Sequence, residues 1–142
     1  MDAHRHFFHK YFTLYRPFVN ELNRKLEDFN LYYAQWSIMY YLDVYESMTL
    51  VELSKMLYVE KPTVTRTVNA LIKLDYVEQI PVRDKREKRI QLSKTGVGVV
   101  QQVRKVFDQY EQEIMEGVST EDQATVIRVM ETVRDNIIRK GD

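Results

Sequence analysis

Residues 53–96 read LSKMLYVEKPTVTRTVNALIKLDYVEQIPVRDKREKRIQLSKTG, and the predicted architecture rests on this segment. A short helix begins just before it, at Leu50, because Thr49 and Glu52 have the spacing of a capping box. Apolar residues then recur at steps of three and four, the period of an amphipathic helix, and the pattern ends near Tyr58. The stretch therefore opens inside a short helix that buries one face.

A second helix follows the turn 59–62 and extends to about Leu74. Pro62 suits its first turn, where the N–H that proline lacks is not needed for helical hydrogen bonding. Asp75 tolerates the left-handed backbone conformation that ends a helix. The residues predicted to face inward are spaced by four and three: Val64, Val68 and Leu71. Two helices joined by a short turn are thus predicted.

A charged hairpin follows the second helix. Residues 76–81 and 88–92 indicate two short strands, and the alternation of Ile90 and Leu92 with polar neighbours is typical of a half-buried strand. The segment 83–89, RDKREKR, holds five basic and two acidic residues. Two closely spaced helices followed by a charged hairpin are typical of a winged helix-turn-helix.

Long helices with apolar stripes flank this module. The first stripe covers 7–29 and ends at Asn30, and another helix is predicted over 34–45. After the hairpin, Ser93 or Thr95 can cap a helix that runs to about residue 115.

The last helix is predicted from Thr120, which has capping-box spacing with Gln123, to about Ile138. The stripes of these terminal helices exceed what one small winged module can cover, and a second copy of the chain would cover them. We therefore predict a homodimer.

The predicted fold class is mostly α with a small β-hairpin wing, in a single domain over residues 1–142. A winged helix-turn-helix region covers 32–93. The helical dimerisation region consists of 1–31 and 94–142.

Composition argues against several other classes of protein. The chain contains no cysteine, which removes disulfides and thiolate metal sites, and no apolar run approaches the ~18 residues that span a bilayer. We find neither a nucleophile with a histidine and acid context nor a glycine-rich phosphate loop. We interpret His4, His6 and His9 as part of a frayed, solvated N-terminus. We expect a cytoplasmic protein that is not an enzyme, does not enter a membrane and holds no cofactor or metal.

Charge is segregated along the chain although it sums to zero, with 21 basic and 21 acidic residues. Segment 83–89 is basic, whereas segment 108–122 holds six acidic residues and no basic one. For nucleic-acid binding, the local distribution of charge matters more than the sum. The alternative is that both segments are ordinary solvated surfaces.

Residues 53–96 resemble the DNA-binding core of MarR-type regulators, and the likeness extends over essentially the whole chain. The family pattern is a helix of the sort T-V-T-R-x-V-x-x-L, a hairpin with D-x-R near its tip, and L-[ST]-x-x-G opening a long helix. In this chain the three motifs are residues 63–71, 84–86 and 92–96. The segment YYAQWSIMYYL, residues 32–42, is similar to the family's second helix. Pro62 and Asp75 depart from the pattern, which usually has a small polar residue and a glycine there.

The resemblance implies contacts with double-stranded DNA through the second helix of the motif and through the hairpin. Arg66 is of the type that holds a guanine with two hydrogen bonds, and Arg86 would enter the minor groove with Asp84 fixing its geometry. Arg89 is expected to contact phosphate. The predicted DNA-binding residues are Thr63, Thr65, Arg66, Asn69, Arg83, Asp84, Lys85, Arg86 and Lys88. The alternatives are an exposed polar helix face and an exposed hairpin ion pair.

The resemblance also implies an effector pocket, because small aromatic or anionic effectors of the family bind between the first two helices and the winged module. The candidate lining residues are Tyr11, Tyr15, Phe18, Trp36 and Tyr40. Aromatic stripes at helical spacing are also typical of a plain core, which is the alternative.

These expectations combine into one predicted function. The chain is expected to be a sequence-specific transcriptional repressor that binds a pseudo-palindromic operator as a homodimer and is released by a small effector. The alternative is a winged-helix module that contacts only other proteins. Loss of salt-dependent DNA retention on mutation of the hairpin arginine would distinguish the two.

Overall fold

The computed structural model describes residues 2–81 and 87–141, and these residues are mostly helical with one small antiparallel sheet. A short 3₁₀ turn, Glu27–Phe29, follows the first helix. In chain order the elements are α1 (Ala3–Leu26), α2 (Tyr33–Tyr45), β1 (Ser47–Thr49), α3 (Leu50–Leu57), α4 (Lys61–Lys73), β2 (Val77–Ile80), β3 (Arg89–Leu92), α5 (Lys94–Ile114) and α6 (Thr120–Gly141). The predicted fold class is confirmed.

The chain divides into two compact units, Met1–Phe107 and Asp108–Asp142. The fully buried side chains of the first unit come from the end of α1, from α2 to α4, from the sheet and from α5. They are Leu26, Ile38, Met39, Leu42, Leu53, Val64, Leu71, Val77, Ile90, Val100 and Val103. Each such side chain contributes roughly 1.5–3 kcal/mol of transfer free energy. The predicted inward face of α4 is confirmed, because Val68 is buried as well.

The sheet has three strands rather than the two that the sequence predicts. Its order is β1–β3–β2, and both pairs are antiparallel, with Thr49 opposite Arg89 and Val77 opposite Leu92. β1 is only three residues long, so the alternation that identifies a strand has no room to show. This extra strand places the start of α3 beside the base of the hairpin.

Three helix ends follow the local chemistry that the sequence predicts. Thr49 and Glu52 form the capping box: the Glu52 N–H donates to the Thr49 hydroxyl at 3.1 Å, and the Thr49 N–H donates to the Glu52 carboxylate at 3.0 Å. Asn30 and Asp75 are both left-handed, with φ of 60° and 63°. The chain therefore turns after α1 and after α4 without glycine.

The starts of α5 and α6 depend on serine hydroxyls. Of the two predicted candidates for α5, Ser93 is the cap, since its hydroxyl accepts from the Gly96 N–H at 2.9 Å. The predicted cap of α6, Thr120, is wrong by one residue. Thr120 is already helical, and the Ser119 hydroxyl accepts from the Asp122 N–H at 3.0 Å.

The first turn of α5 packs against the backbone that leaves α4. The Ser93 N–H donates to the Tyr76 carbonyl at 3.0 Å, and the Ser93 hydroxyl donates to the Asp75 carbonyl at 2.6 Å. The Tyr76 phenol in turn donates to the Phe29 carbonyl at 2.7 Å. A Cβ at Gly96 would overlap the carbonyl oxygen of Tyr76. The glycine is therefore required by this close approach.

Among the described residues, α1 and α6 each present an exposed apolar face. α1 is helical from Ala3, so the predicted frayed N-terminus is wrong, although His4, His6 and His9 are exposed as expected. The exposed apolar residues are Phe7, Phe8, Tyr11, Phe12, Leu14 and Tyr15 on α1, and Val126, Ile127, Met130, Ile137 and Ile138 on α6. Within the described part of the chain, no helix combines the length and apolarity needed to cross a membrane.

Gly96→Ala is expected to lower the free energy of unfolding by about 1–3 kcal/mol, because the added methyl group must displace the Tyr76 backbone. Gly98→Ala is the matched control, since nothing lies within 4 Å of a Cβ at that position. Alanine there should raise the free energy of unfolding by roughly 0.5–1 kcal/mol. Urea unfolding followed by circular dichroism measures both, and equal stability of the two variants would contradict the close approach.

Candidate nucleic-acid interface

The outward face of α4 carries the four polar residues that the sequence analysis selected. Thr63, Arg66 and Asn69 are exposed, and Thr65 is half-buried. The Arg66 guanidinium donates to the Thr63 hydroxyl at 3.1 Å, and the Thr65 hydroxyl donates to the Lys61 carbonyl at 2.9 Å. The face thus presents hydroxyl, amide and guanidinium groups, which are the groups that contact base edges and phosphates.

The turn between α3 and α4 is held by hydrogen bonds between Ser54 and Val59. The Ser54 hydroxyl donates to the Val59 carbonyl at 2.6 Å, and the Val59 N–H donates to the Ser54 carbonyl at 3.2 Å. Tyr58 is left-handed here with φ of 56°, a conformation that favours glycine. Tyr58 as a residue is 75% exposed, so packing within the chain does not account for a tyrosine at this position. Pro62 lies in the first turn of α4, as predicted.

A groove of about 440 Å³ opens between α3, α4 and the base of the hairpin. Its lining residues are Thr49, Leu50, Val51, Lys61, Thr65, Glu87 and Lys88. Lys61 and Lys88 are exposed, so two ammonium groups border a concave surface next to the outward face of α4. Lys61 is not among the DNA-binding residues predicted from the sequence, because 59–62 were predicted to form the turn, whereas α4 begins at that lysine.

Arg89, at the base of the hairpin, binds side chains from three segments. Its guanidinium donates to the Ser47 hydroxyl at 3.1 Å and to the carboxylates of Glu52 and Glu87 at 3.2 and 3.4 Å. The pKa of the Glu52 carboxyl lies below its ordinary value. The hydrogen bond from the Thr49 backbone N–H lowers this pKa most, the Thr49 hydroxyl contributes next, and Arg89 contributes less. The arginine predicted to contact phosphate is therefore paired with carboxylates. The predicted residues Arg83, Asp84, Lys85 and Arg86 lie outside the described residues.

Four of the aromatic residues predicted to line an effector pocket form two pairs. The ring centroids of Tyr11 and Tyr15 on α1 are 5.9 Å apart, and those of Trp36 and Tyr40 on α2 are 6.4 Å apart. Trp36 is buried and packs edge-on against Phe107, with ring centroids 5.3 Å apart. Trp36 is therefore part of the core, whereas the three tyrosines are exposed.

A further tyrosine connects the two helices. The pKa of Tyr33 is raised above its ordinary value, chiefly because its side chain is partly buried. The nearby phenols of Tyr15, Tyr41 and Tyr11 raise this pKa further. Phe18, the remaining predicted residue, is half-buried. The phenols of α1 and α2 therefore lie near one another.

An ion pair ties α5 to α2 beside these aromatic side chains. Arg104 donates through Nε and Nη2 to one carboxylate oxygen of Asp43, at 3.2 and 2.9 Å. The same guanidinium lies over the Tyr40 ring, 5.2 Å from its centroid. Tyr40 is thus held between a cation and its aromatic neighbours.

The fold and this surface define a helix-turn-helix protein with a β-hairpin wing. A family model described as the MarR family matches residues 31–88. YwoH of Bacillus subtilis, an uncharacterized HTH-type transcriptional regulator, is 33% identical over 121 residues, which cover 85% of this chain and 88% of the relative. The chain belongs to the MarR family and is a transcriptional regulator of the helix-turn-helix type.

Solved structures share the whole fold. Staphylococcus aureus MarR, solved in complex with salicylate and kanamycin, has a TM-score of 0.88 at 28% identity, with 95% of this chain and 92% of that chain covered. S. aureus MepR, solved as a DNA complex, has a TM-score of 0.82 at 21% identity, with 91% and 96% covered. The family resemblance inferred from the sequence is confirmed.

Proposed function

We propose that the protein is a cytoplasmic repressor that binds a pseudo-palindromic operator as a homodimer and catalyses no reaction. The observation that carries this proposal is the outward face of α4, where four polar residues stand opposite a buried apolar face. Such a helix fits the major groove, where each base pair has its own pattern of donors and acceptors. The groove beside it supports the proposal, because Lys61 and Lys88 border the path that a DNA backbone would take.

Each part of the surface has a proposed role. Arg66 and Asn69 read base edges, whereas Thr63 and Thr65 contact phosphate or base edges. The lysines of the groove and of the hairpin tip neutralise phosphates. Arg86 enters the minor groove with Asp84 orienting it, flanked by Arg83.

The exposed apolar faces of α1 and α6 support a dimer with two-fold symmetry. A closed two-fold interface uses the same surface on both copies and would cover both faces. The two α4 helices would then read half-sites whose centres lie about one helical turn, ~10 bp, apart or a close multiple. This is why we propose an inverted-repeat operator.

We further propose that a small aromatic anion binds near the tyrosines of α1 and α2 and weakens DNA binding. The related S. aureus MarR was solved with salicylate, at 28% identity to this chain. A ligand shifts a conformational equilibrium only by its differential affinity for the two states. The ligand must therefore bind the arrangement of the two α4 helices that fits DNA poorly.

Arg86→Ala is expected to weaken specific DNA binding by on the order of 2–6 kcal/mol per dimer, taking ~1–3 kcal/mol for each of two contacts. The slope of log affinity against log salt should fall by about 2, because fewer counterions are released. Arg66→Ala should instead reduce discrimination between operator and random DNA. Fluorescence anisotropy at several salt concentrations measures all three effects.

The control for Arg86→Ala is Arg24→Ala, which removes the same charge from α1, where the side chain is 76% exposed. It should leave operator affinity unchanged. A folded Arg86→Ala protein with unchanged affinity and salt slope would contradict the wing contact. Absence of any salt-dependent DNA retention by the wild type would favour a module that contacts only proteins.

Sedimentation at micromolar concentration should show a species of about twice the 17.1 kDa chain mass. Ile127→Glu places a charge on the exposed apolar face of α6 and should produce monomers that lose operator affinity. Thr125→Glu, on the other side of the same helix, is the control and should remain dimeric. A wild type that sediments only as monomer would overturn the dimer.

Salicylate should lower the operator affinity of the wild type in the same anisotropy assay, because it is the aromatic anion seen with the related structure. Acetate at equal concentration controls for ionic strength. Equal shifts with the two anions would contradict an effector site and leave the tyrosines as plain packing. Tyr15→Phe, which removes one phenolic hydroxyl, should reduce the response to salicylate and leave the response to acetate unchanged.

A further inference from the structure

The contact between Arg89 and Glu52 joins the wing to the helix-turn-helix. Arg89 is the first residue of β3, and Glu52 lies in the first turn of α3. The guanidinium bridges them through Nη2 at 3.2 Å and reaches the Ser47 hydroxyl of β1 through Nη1 at 3.1 Å. One side chain of β3 therefore contacts both β1 and α3, the first helix of the helix-turn-helix.

Two carboxylates already neutralise Arg89. The second, Glu87, lies 3.4 Å away on the approach to β3. The Arg89 side chain is only 28% exposed, against 51% for that of Glu52. Neither Arg89 nor Glu52 lines the groove between α3, α4 and the hairpin. A phosphate would have to displace both carboxylates, so this arginine is poorly placed to bind DNA.

The neighbouring residue, Lys88, does line the groove. Its carbonyl accepts the Leu50 N–H at 3.3 Å, which ties the backbone at the base of the hairpin to the start of α3. Arg89 is anchored next to Lys88 by its contacts with Ser47 and Glu52. These contacts hold the backbone that carries Lys88 beside the groove, which Lys61 also lines.

We propose that Arg89 and Glu52 are a positioning pair for DNA binding: they fix the base of the wing so that Lys88 faces the groove, and neither contacts DNA. This inference rests on the proposed DNA-binding function. It also predicts the sign of one substitution. Glu52→Gln removes a negative charge near DNA, which alone should tighten binding. Loss of the pair should instead weaken binding.

Glu52→Gln is a conservative test because glutamine also serves at this position of a capping box, so α3 keeps its cap. The probe is a labelled duplex that the wild-type protein enriches from a random 30-bp library. Arg89→Gln and Glu52→Gln should each weaken binding to it by about three- to tenfold per dimer, the scale of two partly exposed ion pairs. Any fall in the salt slope should be the same in the two variants, because both changes act on DNA only through the position of Lys88.

The double variant should bind about as well as the weaker single variant, since both changes break the same contact. Glu78→Gln is the matched control: it removes a carboxylate from β2 whose partner is the neutral Gln91. It should leave binding unchanged or slightly tighter. Hydrogen exchange at the Leu50 amide should quicken in the Arg89 and Glu52 variants and not in the control.

Tighter binding by Glu52→Gln would overturn the inference. A salt slope lowered by about 2 in Arg89→Gln but unchanged in Glu52→Gln would overturn it as well and make Arg89 a phosphate contact. Additive losses in the double variant would overturn it as well. Failure of the wild type to enrich any sequence is a different result. It would remove the proposed function itself, and the positioning role with it. Circular dichroism of every variant at the assay temperature excludes unfolding as the cause of weaker binding.

Discussion

The first unit depends on the close approach between the first turn of α5 and the backbone that leaves α4. The Ser93 hydroxyl donates to the Asp75 carbonyl and accepts from the Gly96 N–H, so one side chain both caps α5 and joins it to the end of α4. The Tyr76 carbonyl oxygen occupies the position that a Cβ at residue 96 would need. β2 and β3 lie between Asp75 and Ser93 in the chain. The hydrogen bond between these two residues therefore fixes where β2 begins and where β3 ends.

That junction connects α4, with its outward face, to the rest of the unit. The direction of α4 is set by its buried face and by its C-terminal tie to α5, while α5 is tied to α2 through Arg104 and Asp43. A movement of α5 relative to α2 would therefore carry the end of α4 with it. Packed elements switch between discrete arrangements rather than deform continuously. A ligand that separates α2 from α5 would therefore also shift α4 and its outward face.

Local signals predicted most of the fold, and contacts across the chain account for what was missed. The capping box at Thr49 and the left-handed Asp75 could be recognised because each depends on residues close in sequence. β1 could not, because three residues show no alternation and its partner β3 lies about 40 residues away. Arg89 was assigned to phosphate from its place in a basic run. Its carboxylate partner Glu52 lies 37 residues earlier, and only the fold brings them together.

A count of charges along the sequence describes this surface poorly. The basic run 83–89 loses Arg89 to two carboxylates, so that arginine adds little to the field that DNA would meet. Lys61 lies outside the run, at the start of α4, yet it borders the same groove as Lys88. The cations available to a phosphate are thus selected by tertiary pairing. A chain with 21 charges of each sign can in this way place two lysines beside one groove, although Glu87 also lines it. For a DNA-binding regulator, an ion pair that occupies an arginine therefore changes the field at the surface, just as an exposed lysine does.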